Sequence, residues 1–242
     1  MHSPLAQFEI RRLVPLQFGG YDLSFTNSAA FMVLAAVLIT VFFTATLGAR
    51  AMVPGRLQSL QEMAYEMIAG MLRDNVGSEG RPYFPFIFTL FMFILFCNLI
   101  GMIPFTFTVT SHIIVTFALA LVVFVGVTII GFARHGFRFL GLFVPSGVPM
   151  ALLPVLVPIE VISYFVRPIS LSVRLFANMM AGHTMLKVFA GFVISLGLAG
   201  GWAPLLFIVA LTGLEIGIAI LQAYVFTILT CLYLNDAIHL HH

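Results

Sequence analysis

From Gly147 to Gly197 the chain runs for about fifty residues without a polar loop, and from Pro204 to Leu234 for about thirty more. A helix needs about 20 apolar residues to cross a bilayer's hydrocarbon core. At 1.5 Å per residue these two runs would make helices about 75 and 45 Å long, against a core of about 30 Å. Each run must therefore break into pieces or lie steeply tilted. Pro149, Pro154, Pro158 and Pro168 supply sites for kinks, and Gly197, Gly200 and Gly201 mark a turn between the runs. No polar turn lies within Ile159–Phe192, which favours steep tilt; two ordinary spans joined near Arg167-Pro168 are the alternative. A steeply tilted helix needs protein or water along one side. The pattern thus predicts a large partner inside the membrane.

The remainder reads as one all-α polytopic membrane domain over the 242 residues. A hydrophobic content of 61% with 8% charged residues excludes an ordinary soluble domain, where about a quarter of residues are charged. A first span is predicted at residues 28–47, followed by an amphipathic segment at 55–80. There Leu57, Leu60, Met63, Ala64, Met67, Ile68, Met71 and Leu72 recur near a 3.6-residue period among Arg56, Glu62, Glu66, Arg73, Asp74 and Glu79. Spans two and three are expected at 84–103 and 112–132. The long runs, at 147–197 and 203–234, bring the total to about five crossings.

Arg50, Arg56, Arg73 and Arg81 lie between spans one and two, and Arg134 and Arg138 follow span three. Residues 105–111 and 198–203 carry no Lys or Arg. The positive-inside rule then puts the N-terminus outside and the C-terminus in the cytoplasm, with Arg11 and Arg12 counting weakly against. No cleavable signal peptide is expected, since Glu9, Arg11, Arg12 and Pro15 precede any apolar run. A formal charge of +2 without a basic tract argues against nucleic acid. Cys97 and Cys231 read as buried, inert thiols, and His239, His241 and His242 as a solvated tail rather than a metal site.

Within the first long run stands Arg174. An Arg at a bilayer-centred helix position lies about 2.5–3.5 kcal/mol uphill on translocon scales. Its guanidinium stays charged, so it must face a partner or a water-filled cavity. Glu160, Arg167, Ser170, Asn178, His183 and Lys187 occupy the same run; Glu215 and Gln222 occupy the last one. At about 100° per residue, Glu160, Arg167, Ser170, Arg174 and Asn178 share a stripe, with His183 and Lys187 roughly opposite. Glu215 and Gln222, one heptad apart, face one way.

Two polar surfaces are predicted from this sorting. One is centred on Arg174; the other joins His183 to Glu215 and Gln222 from the neighbouring helix. A His beside a Glu can share and pass a proton, with Gln222 holding a water between them. Arg174 can only fix a positive potential. Blander roles fit the others: Arg167 and Lys187 snorkelling or pairing with headgroups, Ser170 bonding its own backbone, Asn98 and Asn178 as interhelical glue, His112 at the interface.

The run from Pro168 through Arg174, Asn178 and Gly182 to His183 (PISLSVRLFANMMAGH) resembles the signature of the subunit a family of F-type ATP synthases. Leu221-Gln222-Ala223-Tyr224-Val225-Phe226, the ending Leu232-Tyr233-Leu234 and the layout of spans are similar too, so the resemblance covers nearly the whole chain. It implies a non-catalytic stator subunit that offers two proton half-channels to a ring of c subunits, beside b-type peripheral-stalk subunits, the rest of the complex and membrane lipid. By position, Arg174 matches the family's essential arginine, which faces the ring carboxylate and separates the half-channels. Asn178, His183, Glu215 and Gln222 match the outer half-channel, and Glu160 an acidic position near the cytoplasmic one.

Many bacterial members exchange the His and the carboxylate of the His183–Glu215 pair. The arrangement here is the mitochondrial type, which implies an alphaproteobacterial inner membrane or, as the alternative, an organellar one. The implied cargo is H+, driven by about 2.3 kcal/mol per charge per 100 mV, with no cofactor or metal. The chain has no Gly-rich phosphate loop, so ATP chemistry would lie on other subunits. A secondary transporter or another proton-conducting subunit is the rival reading; a transporter predicts internal repeats, and none is visible.

Overall fold

The computed structural model describes residues 10, 12–15, 17–18, 21–22, 24–45, 55–103, 106–144 and 152–239. Arg11, Arg50, Pro149, His241, His242 and the segment 147–151 lie outside the described residues. The described residues form six α-helices: α1 (Asn27–Thr44), α2 (Arg56–Val76), α3 (Phe84–Gly101), α4 (Ile113–His135), α5 (Leu153–Gly200) and α6 (Trp202–Ile238). Among the described residues five helical stretches are long and apolar enough to cross a membrane, so the chain is an all-α polytopic membrane protein. Ahead of α1, two short antiparallel pairs that the sequence did not announce join Arg12–Val14 to Phe25–Thr26 and Gln17–Phe18 to Tyr21–Asp22. Their positions, with Arg12 opposite Thr26 and Gln17 opposite Asp22, nest one pair inside the other.

The amphipathic α2 divides its apolar residues between two surfaces. Ile68, Met71, Leu72 and Val76 are buried in the core, while Leu57, Leu60 and Met63, nearer its start, remain exposed. Gln61 bonds back to the Phe42 carbonyl and ties α2 to α1. A 3-10 turn, Ser78–Tyr83, leads into α3, whose second residue is Pro85; proline is tolerated in a first turn because its missing N–H has no helical partner there. At the same end Glu79 pairs with Arg134 near the end of α4.

α5 passes through Arg167-Pro168 without a turn. Pro158 and Pro168 lie inside it, each removing one backbone donor, and the break falls instead at Gly197, where φ is 58°. The helical stretch Leu153–Gly197 has 45 residues and α6 has 37, about 68 and 55 Å at 1.5 Å per residue. Both exceed the hydrocarbon core by far. The two helices pack against each other, with α3 and α4 behind them. Leu171, Leu175 and Met179 of α5 enter the core with Ala223, Phe226 and Cys231 of α6. Ala219 and Ala223 let α3 approach α6 closely enough for the fully buried Asn98 to donate to the Ala219 carbonyl at 3.1 Å. Cys97 and Cys231 are both buried free thiols.

Candidate functional site

Hydrophobic matching between α5 and α6 divides the polar residues of α5 into three environments. Tyr164, Leu171, Leu175, Met179 and His183 point inward, which leaves Ser170, Arg174, Ala177, Ala181 and Met185 exposed along the opposite face. Arg174 therefore stands on an open stripe whose neighbours are small. Among the described residues no ion pair or hydrogen bond engages it. An exposed, unmatched guanidinium flanked by Val173 and Ala177 is what a membrane protein tolerates only opposite a partner or water.

One heptad towards the start of α5, Arg167 has a different setting. Its Nη1 donates to Asp236 of α6 at 2.9 Å, and its guanidinium lies 5.4 Å from the Tyr164 ring and 5.1 Å from the Tyr233 ring. The Tyr164 hydroxyl in turn bonds Thr128 of α4 at 2.7 Å. Three helices are thus clasped around one cation. Snorkelling does not describe Arg167, because Asp236 supplies a counter-charge that the sequence reading left out. Glu160, a further heptad back, is half-buried, and no ion pair reaches it among the described residues.

Towards the other end, Asn178, Gly182, His183 and Glu215 line a cleft of about 210 Å³ between α5 and α6, with Met102 and Leu211 among its apolar walls. Asn178 Nδ2 donates to Gln222 Oε1 at 2.9 Å, so Asn178 bridges the Arg174 stripe to α6. Gln222 is almost wholly buried, and its Nε2 has no protein partner among the described residues. Glu215 lays its carboxylate over Gly182 so closely that a Cβ there would overlap it; the Oε2 atom is buried without a protein partner among the described residues. His183 and Glu215 share the cleft without a direct hydrogen bond to each other. His183 Nε2 instead meets the Thr108 hydroxyl at 3.2 Å, a residue the sequence reading did not single out. Lys187, one turn further on, is within electrostatic reach of His183.

The structure brings together four of the six candidate residues, Asn178, His183, Glu215 and Gln222. It sets Arg174 beside them on the exposed face and leaves Glu160 two heptads away. The cleft offers a carboxylate and an imidazole, which can take up and release protons, and the Asn178 amide, which can hold water by hydrogen bonds with Gln222 bonded behind it. Arg174 cannot release its proton.

The sequence profile of the family described as ATP synthase A chain matches residues 29–235. Proteins named ATP synthase subunit a are similar over essentially the full length. That of Paramagnetospirillum magneticum is 63% identical with all of both chains covered. That of Pelagibacter ubique is 61% identical with 99% of each covered, and that of Rhodospirillum rubrum 58% identical with all of both covered.

Proposed function

The chain belongs to the ATP synthase A chain family, and on that footing we propose how its polar groups move protons. It is a membrane subunit of the proton-translocating sector of an F-type ATP synthase, a stator that is not itself catalytic, working in a complex with the other subunits and residing in a bacterial inner membrane. The reading below rests most on one observation: an unmatched Arg174 on the exposed face of α5, one turn from the Asn178–Gln222 bridge into a polar cleft.

Protons enter from outside through the cleft of His183, Glu215, Asn178 and Gln222. They pass to a carboxylate on a rotating ring of c subunits that runs along the small-residue stripe Ser170, Ala177 and Ala181. Neutralised, that carboxylate can turn through lipid, where an ionised one would suffer a large desolvation cost. After nearly a full turn it ionises on the cytoplasmic side near Glu160. Arg174 favours the ionised form and, being unable to give up its proton, blocks a direct leak between the two paths. The transported ion is H+, and no cofactor takes part. With the N-terminus outside and the C-terminus in the cytoplasm, the Arg167 clasp lies towards the cytoplasm and Thr108 towards the outside. The exposed Leu57, Leu60 and Met63 of α2 suit b-type peripheral-stalk subunits or lipid.

Arg174→Ala tests the barrier. Complexes carrying it should assemble in normal amounts yet make no ATP from an imposed proton gradient. Synthesis within twofold of wild type in fully assembled complexes would end the barrier role.

A further inference from the structure

Between α3 and α4 the chain places Thr106, Thr108, Thr110, Ser111 and His112 within seven residues. Connections between spans ordinarily lie at the surface, where water satisfies such groups. Here Phe107, Thr108, Val109, Thr110 and Ser111 are all buried, and the segment packs against α3, α4 and α5. Several bonds pin it in place. Thr106 Oγ1 lies 2.6 Å from the Ile100 carbonyl, Ser111 Oγ donates to the Thr108 carbonyl at 2.6 Å, and the Phe107 ring stacks on His112 at 4.8 Å.

Thr108 is the point where this segment meets the cleft. Its hydroxyl sits 3.2 Å from His183 Nε2 and 3.4 Å from the Gly101 carbonyl. A hydroxyl has one hydrogen, and a carbonyl can only accept. Both contacts are hydrogen bonds together only if Thr108 donates to Gly101 and accepts from His183 Nε2–H. Neutral His183 then carries its proton on Nε2 and presents the Nδ1 lone pair, which has no protein partner among the described residues. Deeper in the same segment, Thr110 Oγ1 and His112 Nε2 are enclosed and lack a protein partner among the described residues, Thr110 being fully buried. Groups in that condition are satisfied by water.

We infer that the inward-folded α3–α4 connection is the inner lining of the outer half-channel. In it, Thr108 is a positioning residue that holds His183 in the Nε2–H form, and Thr110 and His112 carry the entering water. This rests on the reading above that His183 handles the proton. Nδ1 takes the incoming proton, giving an imidazolium, and returns it on the cleft side; Nε2–H stays bonded to Thr108 throughout. Each transfer exchanges one bond for another: an O–H of the hydrated proton breaks as Nδ1–H forms, and Nδ1–H breaks as an O–H forms on the accepting water or carboxylate.

The test compares Thr108→Val, which keeps the shape and loses the hydroxyl, with Thr108→Ser, which keeps the hydroxyl. Passive proton conduction is measured through the membrane sector of the assembled complex after the catalytic head is stripped off, normalised to the amount of subunit assembled. Thr108→Val should conduct roughly tenfold less, the scale of one lost hydrogen bond to an ionisable group, and Thr108→Ser should retain at least half of wild type. Equal conduction by Thr108→Val and wild type, or equal loss in both variants, overturns the positioning role. His183→Ala run in parallel separates the layers, because normal conduction there defeats the underlying reading instead. If Thr108→Val fails to assemble, Thr110→Val decides: it breaks no side-chain hydrogen bond among the described residues, so a severalfold loss supports the lining and unchanged conduction overturns it.

Discussion

Arg167 and Arg174 sit one heptad apart on one helix, and helical arithmetic gives them the same face, yet the fold treats them as opposites. Around Arg167 the demands of a half-buried cation are met: a carboxylate at 2.9 Å, two tyrosine rings, and a third helix tied in through Thr128. Around Arg174 none is met among the described residues. A matched charge fastens helices together and has little potential left to act on anything else. An unmatched one is costly in the isolated chain unless water or a partner faces it. The difference divides α5 and α6 into a fastened end around Arg167 and Asp236, the frame, and an open stretch around Arg174, the proposed path.

The sharpest way to break that division, after Arg174 itself, is Gly182→Ala. The atoms in the way of a Cβ are the far end of the Glu215 side chain, not backbone, so the added methyl displaces a carboxylate and leaves the helices where they are. Proton conduction per assembled complex should fall by roughly tenfold or more, on the scale that misplacing a proton-transfer group produces. Thermal stability of the complex should hardly move. A variant that conducts normally would show that the position of Glu215 over Gly182 is incidental to the path.

Arg167→Gln should have the converse signature. It leaves Asp236 facing two tyrosines without its cation. The pair is about a third exposed, so the cost is about 1–2 kcal/mol rather than the larger penalty of a fully buried pair. Less complex should assemble, by a few-fold, and whatever assembles should still couple proton flow to ATP synthesis. Exchanging the partners, Arg167→Asp with Asp236→Arg, should recover part of the yield. Loss of coupling at normal yield would move Arg167 out of the frame and into the path.

These contrasts mark how far the sequence could be read. The spans, the long final helices, Arg174 and the residues of the cleft follow from apolar run length, from charge placed where charge is costly, and from a specific motif. Asp236 was missed although a signal existed: it follows Glu215 by three heptads, so the face that carries Glu215 and Gln222 continues to it. Asn178 was assigned to the Arg174 stripe, but a residue at the edge of a stripe is claimed by whichever neighbour offers a partner, and Gln222 does. Thr108 left no periodic signal at all. Thr108 stands just ahead of a single 3-10 turn, Val109–Ser111, too short to have a face, and its burial is decided by the helices that pack around it.

The smallest expected effect sharpens the comparison most cleanly, because it asks whether the frame can be loosened without touching transport. Thr128→Val removes the partner of the Tyr164 hydroxyl, which is bonded at 2.7 Å within a residue only 7% exposed. Leaving that hydroxyl unmatched should cost about 1 kcal/mol, read as a lowered midpoint of thermal dissociation of the complex. The Arg167–Asp236 pair and both ring contacts persist, so α5 keeps its register against α6 and conduction per complex should stay within experimental scatter of wild type. A drop in conduction as large as that expected of Gly182→Ala would mean that the clasp transmits its strain to the cleft, and that frame and path are a single mechanical unit.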